Sequence, residues 1–156
     1  VNLHWDGGWL ENFPTDKQNC MLKYEKIWTQ VAGTFKDYPE KLIFEAQNEE
    51  LGWQSVWNRW GGTSGKADSY ALVNEINQKF VDVVRNSGGN NALRHLLISG
   101  YNTDIDLTCD SMFKMPSDPA GRCAVSVHYY TPSNFCILEE DADWGKAQYT
   151  WGTERL

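Results

Sequence analysis

The sequence predicts an α/β fold built from parallel βα units, and three observations carry that prediction. Short apolar runs at residues 1–3, 42–44, 96–98 and 124–127 have the length and content of buried strands. Segments with helical periodicity or loop composition separate them. Each run is followed at once by a polar or aromatic cluster, at the carboxyl end where α/β folds place their chemistry.

The first run, residues 1–3, leads into His4, Trp5, Asp6 and the turn glycines Gly7 and Gly8. It has no lead-in, so Val1 reads as a cut. His4 is open to two readings, a buried histidine bonded to backbone or a polar group at a strand's working end. After Pro14, with Thr15 or Asp16 as cap, Met21, Tyr24, Trp28, Val31 and Phe35 recur at steps of three and four, the spacing of one helix face. Asp37, Tyr38 and Pro39 break this helix.

The second run opens the stretch LIFEAQNEE, residues 42–50. A carboxylate beside an amide at a strand end can donate a proton while its neighbour holds a substrate hydroxyl, so Glu49 is the candidate acid/base. The alternative is a solvated polar turn. Glu45, Glu50, Glu139 and Glu140 are set aside as substitutes, Glu45 on the expectation that it faces away from Glu49.

Residues 51–66 carry Trp53, Trp57, Trp60, Gly61, Gly62 and Gly65, which suits a loop beside a cleft, with Trp53 or Trp57 covering apolar surface. Asp68 or Ser69 then caps a second helix whose stripe is Leu72, Val73, Ile76, Phe80, Val83 and Val84, and Gly88 and Gly89 end it. The third run leads into Ser99, Gly100, Tyr101 and Asn102. Residues 103–122, with Pro116 and Pro119, leave room for a short helix only. The fourth run delivers His128, Tyr129 and Tyr130. Beyond it, Glu139, Glu140, Asp141 and Asp143 read as solvated surface rather than a metal site, and no further strand is expected.

Composition narrows the partners. A formal net charge of -7, with 14 scattered Lys and Arg, opposes nucleic acid. No stretch approaches the roughly 20 apolar residues of a membrane span, and no signal-peptide pattern is present. Eight Trp and seven Tyr suit core packing and stacking on sugar rings alike. Cys20, Cys109, Cys123 and Cys136 lack the spacing of a zinc or redox site, leaving thiols or disulfides open. No metal or cofactor is expected.

Taken together, VNLHWDGGWLENFP, LIFEAQNEE, GGNNALRHLLISGYNT and VSVHYYTP resemble the third to sixth strands of glycoside hydrolase family 5, most closely its endo-β-1,4-glucanases. The resemblance implies part of a (β/α)8 TIM barrel, about four parallel strands with flanking helices, in which residues 1–156 are the central fragment of one catalytic domain. A whole barrel takes about 250 residues. It further implies Glu49 as general acid/base of a retaining cellulase, Asn48 on the sugar 2-hydroxyl, His4 after the third barrel strand, and His128 and Tyr130 after the sixth, the tyrosine beside the nucleophile. Trp5 stands where many relatives have a second histidine. Trp5, Trp53, Tyr101 and Trp144 are the candidate substrate-binding aromatics. The nucleophile glutamate is expected beyond Leu156, the partner is a β-glucan polysaccharide, the missing barrel halves are needed for completion, and the setting is extracellular. The competing expectation is a catalytically silent glucan-binding fragment or a lectin-like barrel relative.

Overall fold

The computed structural model describes residues 1–4 and 7–151. At its centre lies a parallel sheet in the order β1–β2–β3, formed by Phe44–Glu45, Leu96–Ser99 and Cys123–Ser126. Phe44 pairs with Leu96, Leu96 with Cys123 and Ser99 with Ser126. Among the described residues the sheet is open and does not close a barrel. Each strand sits on an expected apolar run, displaced by a residue or two at its ends.

Residues 1–3 depart from the strand expected there. They run beside β1 without strand regularity: the Val1 amine donates to the Ile43 carbonyl at 3.3 Å, and the Glu45 N–H donates to the Val1 carbonyl at 2.9 Å. Bonding to residues on either side of Phe44 is the parallel pattern, so this segment occupies a strand's place. One residue pair and a chain end are too little to propagate a ladder.

Two long helices cover one face of the sheet, α1 at Lys17–Thr34 and α2 at Lys66–Asn86. Cys20, Tyr24, Trp28 and Ala32 form the buried stripe of α1 at steps of four. Met21, Val31 and Phe35 are only half-buried, along its margins. Trp28 locks the layers together, its ring 4.5 Å from Phe80 of α2 and 5.9 Å from Phe44 of β1. No helix among the described residues is long and apolar enough to cross a membrane.

The start of α2 corrects the expected cap. Gly65, at φ +77°, precedes the helix, and a Cβ there would meet the Val56 carbonyl oxygen at 2.0 Å. Only glycine fits that approach. Asp68 and Ser69 therefore fall inside the first turn, where the buried Ser69 hydroxyl shares a hydrogen bond with the Tyr101 hydroxyl at 2.6 Å. The link after β2 holds the short helix α3 at Ile105–Thr108, capped by Asp104, whose Oδ1 accepts the Leu107 N–H at 2.9 Å. After β3 comes α4 at Ser133–Cys136. All four cysteines are free thiols, Cys20 buried and Cys109 and Cys136 exposed.

The end of the sheet remote from Glu49 is secured by two buried arginines. Arg94 is fully buried and has no carboxylate beside it; its guanidinium donates to the carbonyls of Phe35, Tyr38, Pro39 and Leu42 and to Asn91 Oδ1 at 2.6–3.0 Å, over the Phe44 ring at 4.7 Å. Arg85 grips Asp118 with two bonds, Nε to Oδ1 at 2.7 Å and Nη2 to Oδ2 at 2.9 Å. These bonds hold the Asp118 carboxyl far below the usual carboxylate range, against the opposing pull of burial.

A depressed folded-state pKa stabilises above the unfolded value, about 3.9, and that contribution is lost as pH falls below it. Urea denaturation at graded pH should therefore show stability declining below about pH 4, and Asp118→Asn should lack that component of the decline while costing about 3 kcal/mol near neutrality. An identical acid limb in both proteins would contradict the assignment.

Candidate active site

The carboxyl ends of β1, β2 and β3 open onto a cleft of about 580 Å³ lined by Glu49, Asn102, Thr103, Asp104, His128 and Tyr130, among others. Glu49 follows β1, and two groups that follow β3 meet it. His128 Nδ1 lies 2.5 Å from Glu49 Oε1, and the Tyr130 hydroxyl donates to the same oxygen at 3.2 Å. Glu49 and His128 are half-buried, with side chains 29% and 28% exposed, so the contact is partly shielded while open to the cleft. The negative charge of Glu49 and the hydrogen bond to it raise the Tyr130 hydroxyl above its ordinary pKa, which keeps it a donor.

Alternation along β3 explains how these residues face one another. Ser126 and His128, two apart, share the sheet face away from α1 and α2. Ser126 Oγ donates to Glu45 Oε1 at 2.8 Å, and Asn2 Nδ2 donates to Glu45 Oε2 at 3.0 Å. Glu45 therefore lies on the side of Glu49 and not away from it, one layer deeper and engaged structurally.

The exit of β2 is the strained part of the site. Asn102 and Thr103 both have φ +49°, the only non-glycine residues among those described with positive φ. Such a conformation costs a β-branched residue about 1–3 kcal/mol and persists only where the surroundings enforce it. Here the Thr103 carbonyl accepts the His128 N–H at 2.8 Å, and the Asn102 N–H donates to the Leu51 carbonyl. The turn thus ties together the chain leaving all three strands. Beside it, burial of Asp104 is outweighed by bonds from the Leu107 amide and Arg59, which hold its carboxyl below the usual range. Arg59 Nη1 reaches Asp104 Oδ2 at 2.9 Å.

The remaining sequence-derived candidates are placed as follows. Asn48 is 7% exposed; its N–H donates to the Leu3 carbonyl at 2.9 Å, and its own carbonyl accepts Ser99 Oγ at 3.1 Å. The Leu3 bond brings His4, which is exposed, out at the same end of the sheet as Glu49. Trp5 lies outside the described residues. Trp53 and Tyr101 are 5% and 3% exposed, packed in the core, the Trp53 indole donating to the Leu10 carbonyl at 3.0 Å. Both are core residues here and reach only a small pocket of about 80 Å³ beside the cleft, too little exposed to serve as stacking platforms. Trp144 is 60% exposed, in a turn after α4, and does not line the cleft. Glu139, Glu140, Asp141 and Asp143 are exposed, and no group of three or more His, Cys, Asp or Glu among the described residues is placed to hold a metal ion.

Sequence reasoning missed Thr103, Asp104, Asp106 and Tyr129 as cleft residues. A usable signal existed: they follow β2 and β3 as Glu49 follows β1. Among the described aromatics Trp60 is the most open, 84% exposed on a turn pinned by its own N–H to Asn58 Oδ1 at 2.9 Å.

With that geometry in place, comparison with known proteins is informative. The model of the cellulase family, glycosyl hydrolase family 5, matches residues 1–154. A xyloglucan-specific endo-β-1,4-glucanase of Bacteroides ovatus is 36% identical over 154 residues, covering 94% of this chain and 29% of the relative. Endoglucanase B of Neocallimastix patriciarum is 37% identical over 139 residues, covering 88% of this chain and 28% of the relative. Among solved structures, a family 5 lichenase from Caldicellulosiruptor sp. F32 superposes with a TM-score of 0.84 at 32% identity, over 99% of this chain and 43% of the lichenase. The chain therefore spans less than half the length of each of these relatives.

Proposed function

The chain belongs to glycosyl hydrolase family 5, and from that premise we propose that it carries the acid/base side of a retaining endo-β-1,4-glucanase site. The observation that carries the reading is the convergence of His128 and Tyr130 on one oxygen of Glu49, in a cleft at the strands' carboxyl ends. With the His128 ring proton on Nδ1, Oε1 accepts from both His128 and Tyr130, and the proton of the neutral acid then sits on Oε2. From there the proton passes to the glycosidic oxygen as its bond to the anomeric carbon breaks. A second carboxylate, supplied from outside residues 1–156, attacks that carbon, as retention requires two carboxyl groups about 5 Å apart. Glu49, now ionised, takes a proton from the water that releases the sugar. Asn48 serves the 2-hydroxyl, and His4, exposed at the same end of the sheet, serves the same site.

The substrate is a β-1,4-glucan or a mixed-linkage or substituted relative of it. The relatives' own names, among them xyloglucan-specific endoglucanase, endoglucanase and lichenase, span that range. A polysaccharide substrate supports an extracellular setting for the complete protein. Proton magnetic resonance of the sugar first released from a β-glucan by the complete protein tests the reading. The β-anomer is expected to appear first; the α-anomer first, or binding without cleavage, would overturn it. His128→Ala should lower kcat/KM about 10- to 100-fold, the equivalent of losing one hydrogen bond to a charged group. An unchanged rate would remove His128 from the site.

A further inference from the structure

Behind Glu49 lies a line of buried polar groups that the proposed chemistry does not use. Tyr24, Gln47, Asn77 and Ser99 are all fully buried, on four different elements or their exits. The Tyr24 hydroxyl of α1 donates to Gln47 Oε1 at 2.6 Å, and Gln47 Nε2 donates to Asn77 Oδ1 at 3.4 Å. Asn77 Nδ2 of α2 donates to the Ser99 carbonyl at 2.8 Å, and Ser99 Oγ lies 3.1 Å from both the Asn48 and the Gly100 carbonyl, a donor shared between the chain leaving β1 and its own. The line ends one residue before Glu49.

Its polarity is fixed from both ends. A backbone carbonyl can only accept, so the Asn77 amide must turn its NH2 to Ser99 and its oxygen to Gln47. Gln47 must then present its oxygen to Tyr24. Burial pushes the Tyr24 hydroxyl well above its ordinary pKa, so that end remains a donor. Neither amide can flip without leaving a buried polar group unpaired, at a cost that makes one arrangement of Gln47 and Asn77 strongly preferred. An apolar residue at 47 or 77 would pack as well but would leave the chain beyond Ala46 without a fixed register.

We infer that Tyr24, Gln47, Asn77 and Ser99 are positioning residues that clamp the backbone of Asn48 and so set the reach of the Glu49 carboxyl into the cleft. The inference rests on the acid/base role proposed for Glu49. It explains why polar side chains stand where α1 and α2 would otherwise bury hydrocarbon against β1 and β2. The clamp bears on proton delivery because the main chain it holds leads directly into the acid.

The test is the dependence of kcat/KM on the leaving group, measured in the complete protein. This ratio reports bond cleavage up to the first irreversible step. Dinitrophenolate leaves a cellobioside without a proton, whereas the sugar alcohol released from a cello-oligosaccharide or a β-glucan needs one. Glu49→Ala should abolish turnover of the demanding substrates and spare the activated one. Tyr24→Phe and Ser99→Ala, at opposite ends of the line, should show the same signature in milder form, a loss of about 10- to 100-fold on the demanding substrates and less than twofold on the activated one. A loss shared equally by both substrate types, or no loss, would reduce the line to ordinary core structure and overturn the inference. Ser99→Ala removes a single oxygen, so it distinguishes these outcomes even if Tyr24→Phe folds poorly. If Glu49→Ala itself lacks the signature, the acid/base reading fails and the clamp with it.

Discussion

Replacing Glu49 by glutamine is expected to lower kcat/KM on a soluble β-glucan by about 10²- to 10⁴-fold in the complete protein, the range attributable to one general acid/base. The substitution is a narrow one. Glutamine keeps an oxygen for the bonds from His128 Nδ1 and the Tyr130 hydroxyl, which both reach Oε1, and the side chain is 29% exposed, so fold and cleft shape should survive. What disappears is the exchangeable proton. Reducing-sugar release measured beside the thermal unfolding midpoint separates the two effects: the midpoint should move little while the rate collapses. Turnover within tenfold of the parent would leave Glu49 without a catalytic role.

The largest effect on stability is expected at Arg94. Arg94→Met retains much of the aliphatic stem over Phe44 but takes a donor from the carbonyls of Phe35, Tyr38 and Pro39, which keep a second one from the Tyr38 N–H, Asn90 Nδ2 and the Leu42 N–H, and strips the Leu42 carbonyl and Asn91 Oδ1 of theirs. Each of the two acceptors left unpaired costs about 1–3 kcal/mol and the other three are weakened, so a net loss of about 3–5 kcal/mol is expected. Arg94→Lys should be nearly as damaging, because one ammonium cannot span acceptors set out for a planar fork. Urea denaturation of the complete protein measures both. A loss below about 1 kcal/mol would mean that the 35–42 segment keeps its path without the cage.

Much of the framework was legible because it is written in apolar periodicity. Phe44, Leu96 and Ile98 mark strands, and Trp28, Ile76 and Phe80 mark helix faces, since burying them dominates the local energetics. Glu49, His128 and Tyr130 were legible because strand ends put them at one rim, and their motifs resembled those of the family. The helix cap was not: Gly65 is required by its approach to the Val56 carbonyl, a contact between segments that no local pattern encodes. Trp53 and Tyr101 were misplaced because an aromatic in a glycine-rich stretch looks the same whether it faces a cleft or a core. The polar line behind the site left one trace, Asn77 standing within the apolar stripe of α2 between Ile76 and Phe80. Arg94 left none, because its partners are main-chain oxygens.

The bonds from His128 and Tyr130 fall on a single atom of Glu49, and this asymmetry bears on how a polymer must lie. An acid tethered through one oxygen protonates from one flank alone. A glucan threaded with its reducing end the opposite way would offer the scissile oxygen to the tethered atom and not to the free one. The two orientations of an otherwise repetitive chain would then be unequal, and only one of them would be cut.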